Sequence, residues 1–154
     1  MKRLAILALS ASILPLAGCP MTATQQQQVL KASDEAAIVV AGGQKAETAA
    51  FQQGLIPAAE HHFMEQQFAS LGQIGKTVDS CVAASGSKGA MLTCLNTAIT
   101  SVDAINANGG LFLKSTSAKN EYAAVMLGVR TVLASIDATL GGTPPAAPAT
   151  TGGL

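Results

Sequence analysis

The sequence predicts an all-α protein, an antiparallel helical bundle or hairpin of three to four helices. Three observations predict it. The chain is 49% hydrophobic but only 3% aromatic and has no Trp, so its apolar content is mostly Ala, Leu, Val and Ile; Ala keeps rotamer costs low and lets helix axes approach. Apolar residues recur in steps of four and three, the spacing that holds one helix face against a partner. Glycine-rich stretches punctuate these runs at intervals that leave short loops, which favours antiparallel neighbours. No period-2 segment is long enough to argue a strand; "GLFLK" at 110 to 114 is too short.

In chain order, the first element is a leader. Met1-Lys2-Arg3 is positive, "LAILALSASI" at 4 to 13 is uncharged and apolar, and small residues follow. That is the layout of a secretory signal, shorter than the roughly 20 apolar residues of a membrane span. Leu16-Ala17-Gly18-Cys19 resembles, residue for residue, the lipobox of bacterial lipoproteins. The resemblance covers about the first 20 residues. It implies cleavage of a signal peptide at 1–18, a diacylglyceryl group on the Cys19 thiol and usually acylation of the new amine. Two or three chains, at about 0.8 kcal/mol per buried CH₂, anchor a protein stably. It also implies a cell-envelope address. Pro20 stands where Asp would signal inner-membrane retention in Gram-negative lipoproteins, which favours the outer membrane, facing the periplasm.

Residues 19–28, with "PMTATQQQQ", read as a polar tether, and residues 29–142 as the bundle domain. Over 29 to 53, Leu30, Ser33, Ala37 and Val40 form a stripe that Gly42-Gly43 weakens or breaks, and Gly54 is a stop. Pro57 suits the first turn of the next helix, whose face is Met64, Phe68, Leu71, Gly75, Val78 and Val82. Gly72 and Gly75 inside it allow either close helix approach or a kink. After a turn at "SGSKG", Met91, Leu95, Ala98, Val102 and Ile105 define a third helix ending in "NANGG" at 106 to 110. A connector at 111 to 116 leads to Ser117 as N-cap. The last stripe is Tyr122, Met126, Val129, Leu133, Ile136 and Leu140. The segment 143–154, with Pro and Gly among small residues, reads as a flexible tail.

Cys81 and Cys94 lie at equal distance from the turn centred on residues 87 and 88, so an antiparallel pair brings them to one height. An oxidising compartment favours a disulfide; two buried thiols or a metal pair are the rival readings.

"EHHFME" at 60 to 65 holds both histidines. His61 with Glu65 (i, i+4) and His62 with Glu65 (i, i+3) can each present two ligands to one metal ion. Two or three ligands are too few without a second cluster, so the segment reads first as a solvated, mildly pH-sensitive helix face and no metal or cofactor is expected. "GQIGKT" at 72 to 77 has the Gly-Lys-Thr of a phosphate loop, but Ser70 stands where the motif needs Gly and no strand precedes it. No Gly-x-Ser-x-Gly or Cys-x-x-Cys-His occurs, and no enzyme is expected. Net charge is +0 with Lys and Arg scattered singly beyond residue 3, which gives nucleic-acid binding no electrostatic support.

The functional expectation is a lipid-anchored exported bundle with a structural or interaction role in the envelope. Its partners would be the membrane, through the anchor, and an envelope protein or cell-wall component. The alternatives are a helical lipoprotein holding a small apolar ligand or metal, and, more distantly, a phage lysis lipoprotein.

Overall fold

The computed structural model describes residues 19–148; residues 1–18, read as a signal peptide, and residues 149–154 of the segment read as a tail lie outside the described residues. Four long helices follow in order: α1 Ala23–Gln52, α2 Ala58–Ala84, α3 Lys88–Phe112 and α4 Thr116–Thr139. Each packs on its sequence neighbours and α1 closes on α4. The result is an up-down-up-down four-helix bundle. Across the diagonals, α2 touches α4, while α1 and α3 do not meet, so the cross-section is a rhombus rather than a square.

The stripes read in α2 and α4 are the core. Met64, Phe68, Leu71, Val78 and Val82 are buried, as are Tyr122, Met126, Val129, Leu133, Ile136 and Leu140. In α3, Met91, Leu95, Ala98 and Val102 are buried, and Ile105 packs at the margin. The α1 stripe holds at Ser33 and Val40 and differs at its other two positions. Its buried positions are Val29, Ser33, Ala36, Val40, Gly43, Glu47 and Ala50, a strict alternation of four and three. Leu30 and Ala37 therefore face solvent. The true stripe contains Ser, Gly and Glu, so hydrophobicity alone does not reveal it.

Gly42-Gly43 does not interrupt α1. A side chain at Gly43 would lie 2.1 Å from Val125 Cγ2, and one at Gly128 would lie 2.8 Å from Val39 Cγ1. The two helices interlock here, valine into glycine in both directions. Gly109 does not stop α3 either; the Tyr122 ring occupies the space its side chain would take, 1.9 Å from a would-be Cβ. The Tyr122 hydroxyl donates to the Ile105 carbonyl at 2.6 Å, and burial pushes the phenol's pKa up. Conformational freedom matters at Gly54 and Gly141, with φ +72° and +74°. Each follows a helix end, and the next N–H (Leu55, Gly142) donates back to the carbonyls of Ala50 and Asp137. These are Schellman-type stops.

Three boundaries depart from the sequence reading. The segment 19–28, read as a tether, is helical from Ala23. Thr22 and Gln25 form a capping box: Gln25 N–H donates to Thr22 Oγ1 at 3.2 Å, and Thr22 N–H donates to Gln25 Oε1 at 2.9 Å. Met21 is buried, and Lys88 N–H donates to the Cys19 carbonyl at 3.0 Å. The connector is only Leu113–Ser115, and Ser115, not Ser117, caps α4 by accepting from Ala118 N–H at 3.3 Å. Residues 143–148 have no regular structure, yet Arg130 donates to the Pro145 carbonyl at 2.7 Å, which ties this part of the tail to α4.

The helix α4 is long and apolar enough to cross a membrane by length and composition, with mean hydropathy 1.2. Its apolar face lies against α1 and α3. Arg130 Nε donates to Asp103 Oδ1 on α3 at 2.8 Å. Bundle packing thus accounts for its composition.

Candidate functional site: two ends and a groove

Antiparallel order places Cys19, the α2–α3 turn and the end of α4 at one end of the bundle. Cys19 is exposed, and Pro20 forms an antiparallel bridge with Ser87. Cys81 and Cys94 are joined at this end, with Cα atoms 6.5 Å apart and sulfurs 2.05 Å apart. The equal-height argument is met, and of the three cysteines only Cys19 carries a free thiol.

The same end holds a buried acid. Asp137 is fully buried, and neither carboxylate oxygen has a hydrogen-bond partner. Gly142 packs on it: a Cβ there would lie 2.4 Å from Asp137 Oδ2, and 2.6 Å from Leu92 Cδ2. Burial raises the Asp137 pKa. Because the folded value lies above the unfolded one, the neutral acid is the form the fold favours, and stability falls as pH rises through the folded pKa. Asp137→Asn is expected to stabilise the protein at pH 7 by on the order of 1 kcal/mol, the scale of relieving a buried unpartnered group. Thermal unfolding at pH 7 and at pH 3 checks this, since the gain should shrink in acid.

The opposite end carries the α1–α2 turn and the α3–α4 connection. Here Glu60, in the first turn of α2, crosses to the start of α4. It accepts Lys114 N–H at 3.1 Å, Ser115 N–H at 3.2 Å and the Ser115 hydroxyl at 2.7 Å. Burial works to raise its pKa, but these hydrogen bonds and the Lys119 charge prevail and hold it below the usual value.

The three histidine-segment candidates are placed apart by role. His61 Nδ1 hydrogen-bonds the buried Glu47 of α1, and its ring stacks on Phe51 with centroids 4.0 Å apart. Glu65 lies 3.7 Å from His61 Nε2 and 3.8 Å from His62 Nδ1. His62 is exposed and pairs with Gln66 at 3.0 Å. His61 is thus a packing residue of the α1–α2 seam rather than part of a solvated face. Among the described residues, no group of three or more His, Cys, Asp or Glu side chains converges to hold a metal ion. Three exposed large apolar side chains lie at this end, Leu55, Leu111 and Phe112, at 52%, 76% and 46% exposed, with Phe112 stacked on Phe63 at a centroid distance of 4.4 Å; Leu30, Ile38 and Leu127 are exposed along α1 and α4.

Between the ends, α1 and α2 part to leave a groove of about 450 Å³ that reaches the core at Val40, Phe68, Leu71 and Leu133. That volume falls in the range of small-molecule sites. A second depression of about 320 Å³ lies between α1 and α4. No family model, curated protein or solved structure matches the chain.

Proposed function

We propose that the chain is an exported lipoprotein anchored through Cys19, whose helical bundle acts by contact in the cell envelope, in a Gram-negative cell at the outer membrane facing the periplasm. The reading involves no catalysis. The observation that carries it is polarity along the bundle axis. The exposed Cys19 stands at one end, tied down through Lys88 and Ser87, and the exposed apolar trio Leu55, Leu111 and Phe112 stands at the other. Acyl chains on Cys19 would put the first end at the bilayer and present the second away from it. At about 1.5 Å per residue, helices of this length carry the apolar end roughly 35–45 Å from the anchored end. The mature chain is mildly acidic once Lys2 and Arg3 are removed, so lipid rather than charge would hold it to an anionic membrane. The partner fitting the far end is an envelope protein with an apolar recess, since exposed clustered Leu and Phe mark contact sites.

A photocrosslinking residue at Leu111 is expected to give one discrete protein adduct in intact cells, lost in Phe112→Glu, while the same residue at Thr131 gives none. Equal adducts at both positions, or none at Leu111, would contradict the proposal. A second reading, a helical lipoprotein that holds a small apolar ligand, is favoured by one observation, the α1–α2 groove.

A further inference from the structure

We infer that the α1–α2 groove binds a single-chain cationic amphiphile, an unbranched alkyl tail with an ammonium head. The inference rests on the small-ligand reading of that groove. Its starting point is Gly72 and Gly75. Each costs about 1 kcal/mol relative to Ala in a helix interior. Neither has positive φ, and a Cβ at either would meet nothing within 4 Å. Gly43, Gly109 and Gly128 are different, because a neighbour fills the space of each missing side chain. Backbone conformation and close packing therefore do not explain Gly72 and Gly75. What they do is open the α2 wall of the groove at two positions, between Ala69 and Val78.

The shape selects a slender tail. The groove follows α1 from Ser33 to Gln44, about 16 Å at the helical rise, which an extended chain of about ten to twelve carbons fills. Its floor is aliphatic and aromatic: Val40, Leu71, Val78, Val129, Leu133 and Phe68. Rim polarity is uneven. Gln44 and Ala69 border one end without charge, whereas Asp34 of α1 and Lys76 and Asp79 of α2 line the other. Neither aspartate forms an ion pair among the described residues, and the nearby Lys31 is engaged with Glu35. Two carboxylates against one ammonium leave that end net negative, which suits a cationic head and disfavours a carboxylate one. The α1–α4 depression has no such end: Glu35, its one charged lining residue, is the partner of Lys31.

The test is titration of the intact chain carrying Cys19→Ser, which removes the exposed thiol and any lipid on it, with dodecylammonium, dodecanol and dodecanoate below their micelle concentrations. One saturable site is expected, with dodecylammonium bound about fivefold tighter than dodecanoate, the scale of surface charge pairs. Asp34→Asn or Asp79→Asn alone should bring these two together. The double variant, which leaves only Lys76 charged at that end, should favour dodecanoate, and dodecanol should be unchanged in all three. Gly72→Leu with Gly75→Leu should weaken all three by about tenfold or more, with helicity retained, since the added side chains fill the space. Dodecanoate binding as tightly as dodecylammonium would overturn the head-group inference while leaving the groove reading standing. Absence of saturable binding by all three, or binding untouched by the paired leucines in a folded variant, would overturn the groove reading itself.

Discussion

Glu60→Ala is expected to destabilise the protein by about 2 kcal/mol, the cost of removing several part-buried hydrogen bonds to one ionised carboxylate. The carboxylate is only 7% exposed and links two helix starts: it belongs to the first turn of α2 and receives both backbone N–H groups that lead into α4. Ser115 is held in the middle. Its hydroxyl donates to Glu60 and accepts from Ala118 N–H, so the side chain that caps α4 is itself oriented by Glu60. Truncation leaves the cap without its orienting partner and takes away the side-chain acceptor of two N–H groups. The pH dependence follows from the depressed pKa. The Glu60 contribution is present above the unfolded pKa and is lost as pH falls through the folded value, opposite in sign to Asp137. Glu60→Gln should keep part of the geometry and lose the charge, so its deficit against the native chain should narrow on acidification. Denaturant unfolding of the three proteins between pH 3 and pH 7 reads both effects; a native-like Glu60→Ala at pH 7 would contradict the account.

Opening the Cys81–Cys94 bond carries a comparable penalty. The half-cystines are 13 positions apart, and closing a loop of that size stabilises by about 3 kcal/mol in the chain-entropy model. The bond also staples the turn against which Cys19 and Pro20 rest. Cys81→Ala with Cys94→Ala should lower the melting temperature by roughly 10 °C, given the few degrees per kcal/mol of a domain this size. Neither sulfur should react with a thiol reagent before reduction. Labelling of both under native, non-reducing conditions would contradict the bond.

Sequence periodicity and turn chemistry are enough to place α2 and α4, because their stripes are built of large aliphatic and aromatic residues that no other arrangement would bury. The same reasoning finds Ser33 and Val40 of α1 but takes Leu30 and Ala37 for their buried neighbours Val29 and Ala36, and it loses the face beyond Val40, where Gly43 and Glu47 continue it. Polar and missing side chains are invisible to a hydrophobic pattern, and Gly43 is buried only because Val125 of a helix some eighty residues later fills its place. Glu47 and His61 were open to detection. They sit at equal distance from Gly54, as Cys81 and Cys94 do from their own turn, and the argument that pairs the cysteines would have paired them. Glu60 resembles any acid placed favourably near a helix N-terminus, and nothing local announces its reach to Ser115, 55 positions on. The groove is not legible in the sequence: Gly72 and Gly75 suggest close approach or a kink, and in the packed bundle no neighbour comes close at either position.

The central claim is that Cys19 is the membrane anchor, and mass spectrometry of the mature N-terminus tests it most directly. The account predicts a chain beginning at Cys19 and carrying two or three acyl chains, found in the membrane fraction and released from it by Cys19→Ala. A chain that begins elsewhere, or that begins at Cys19 with an unmodified thiol, would contradict it.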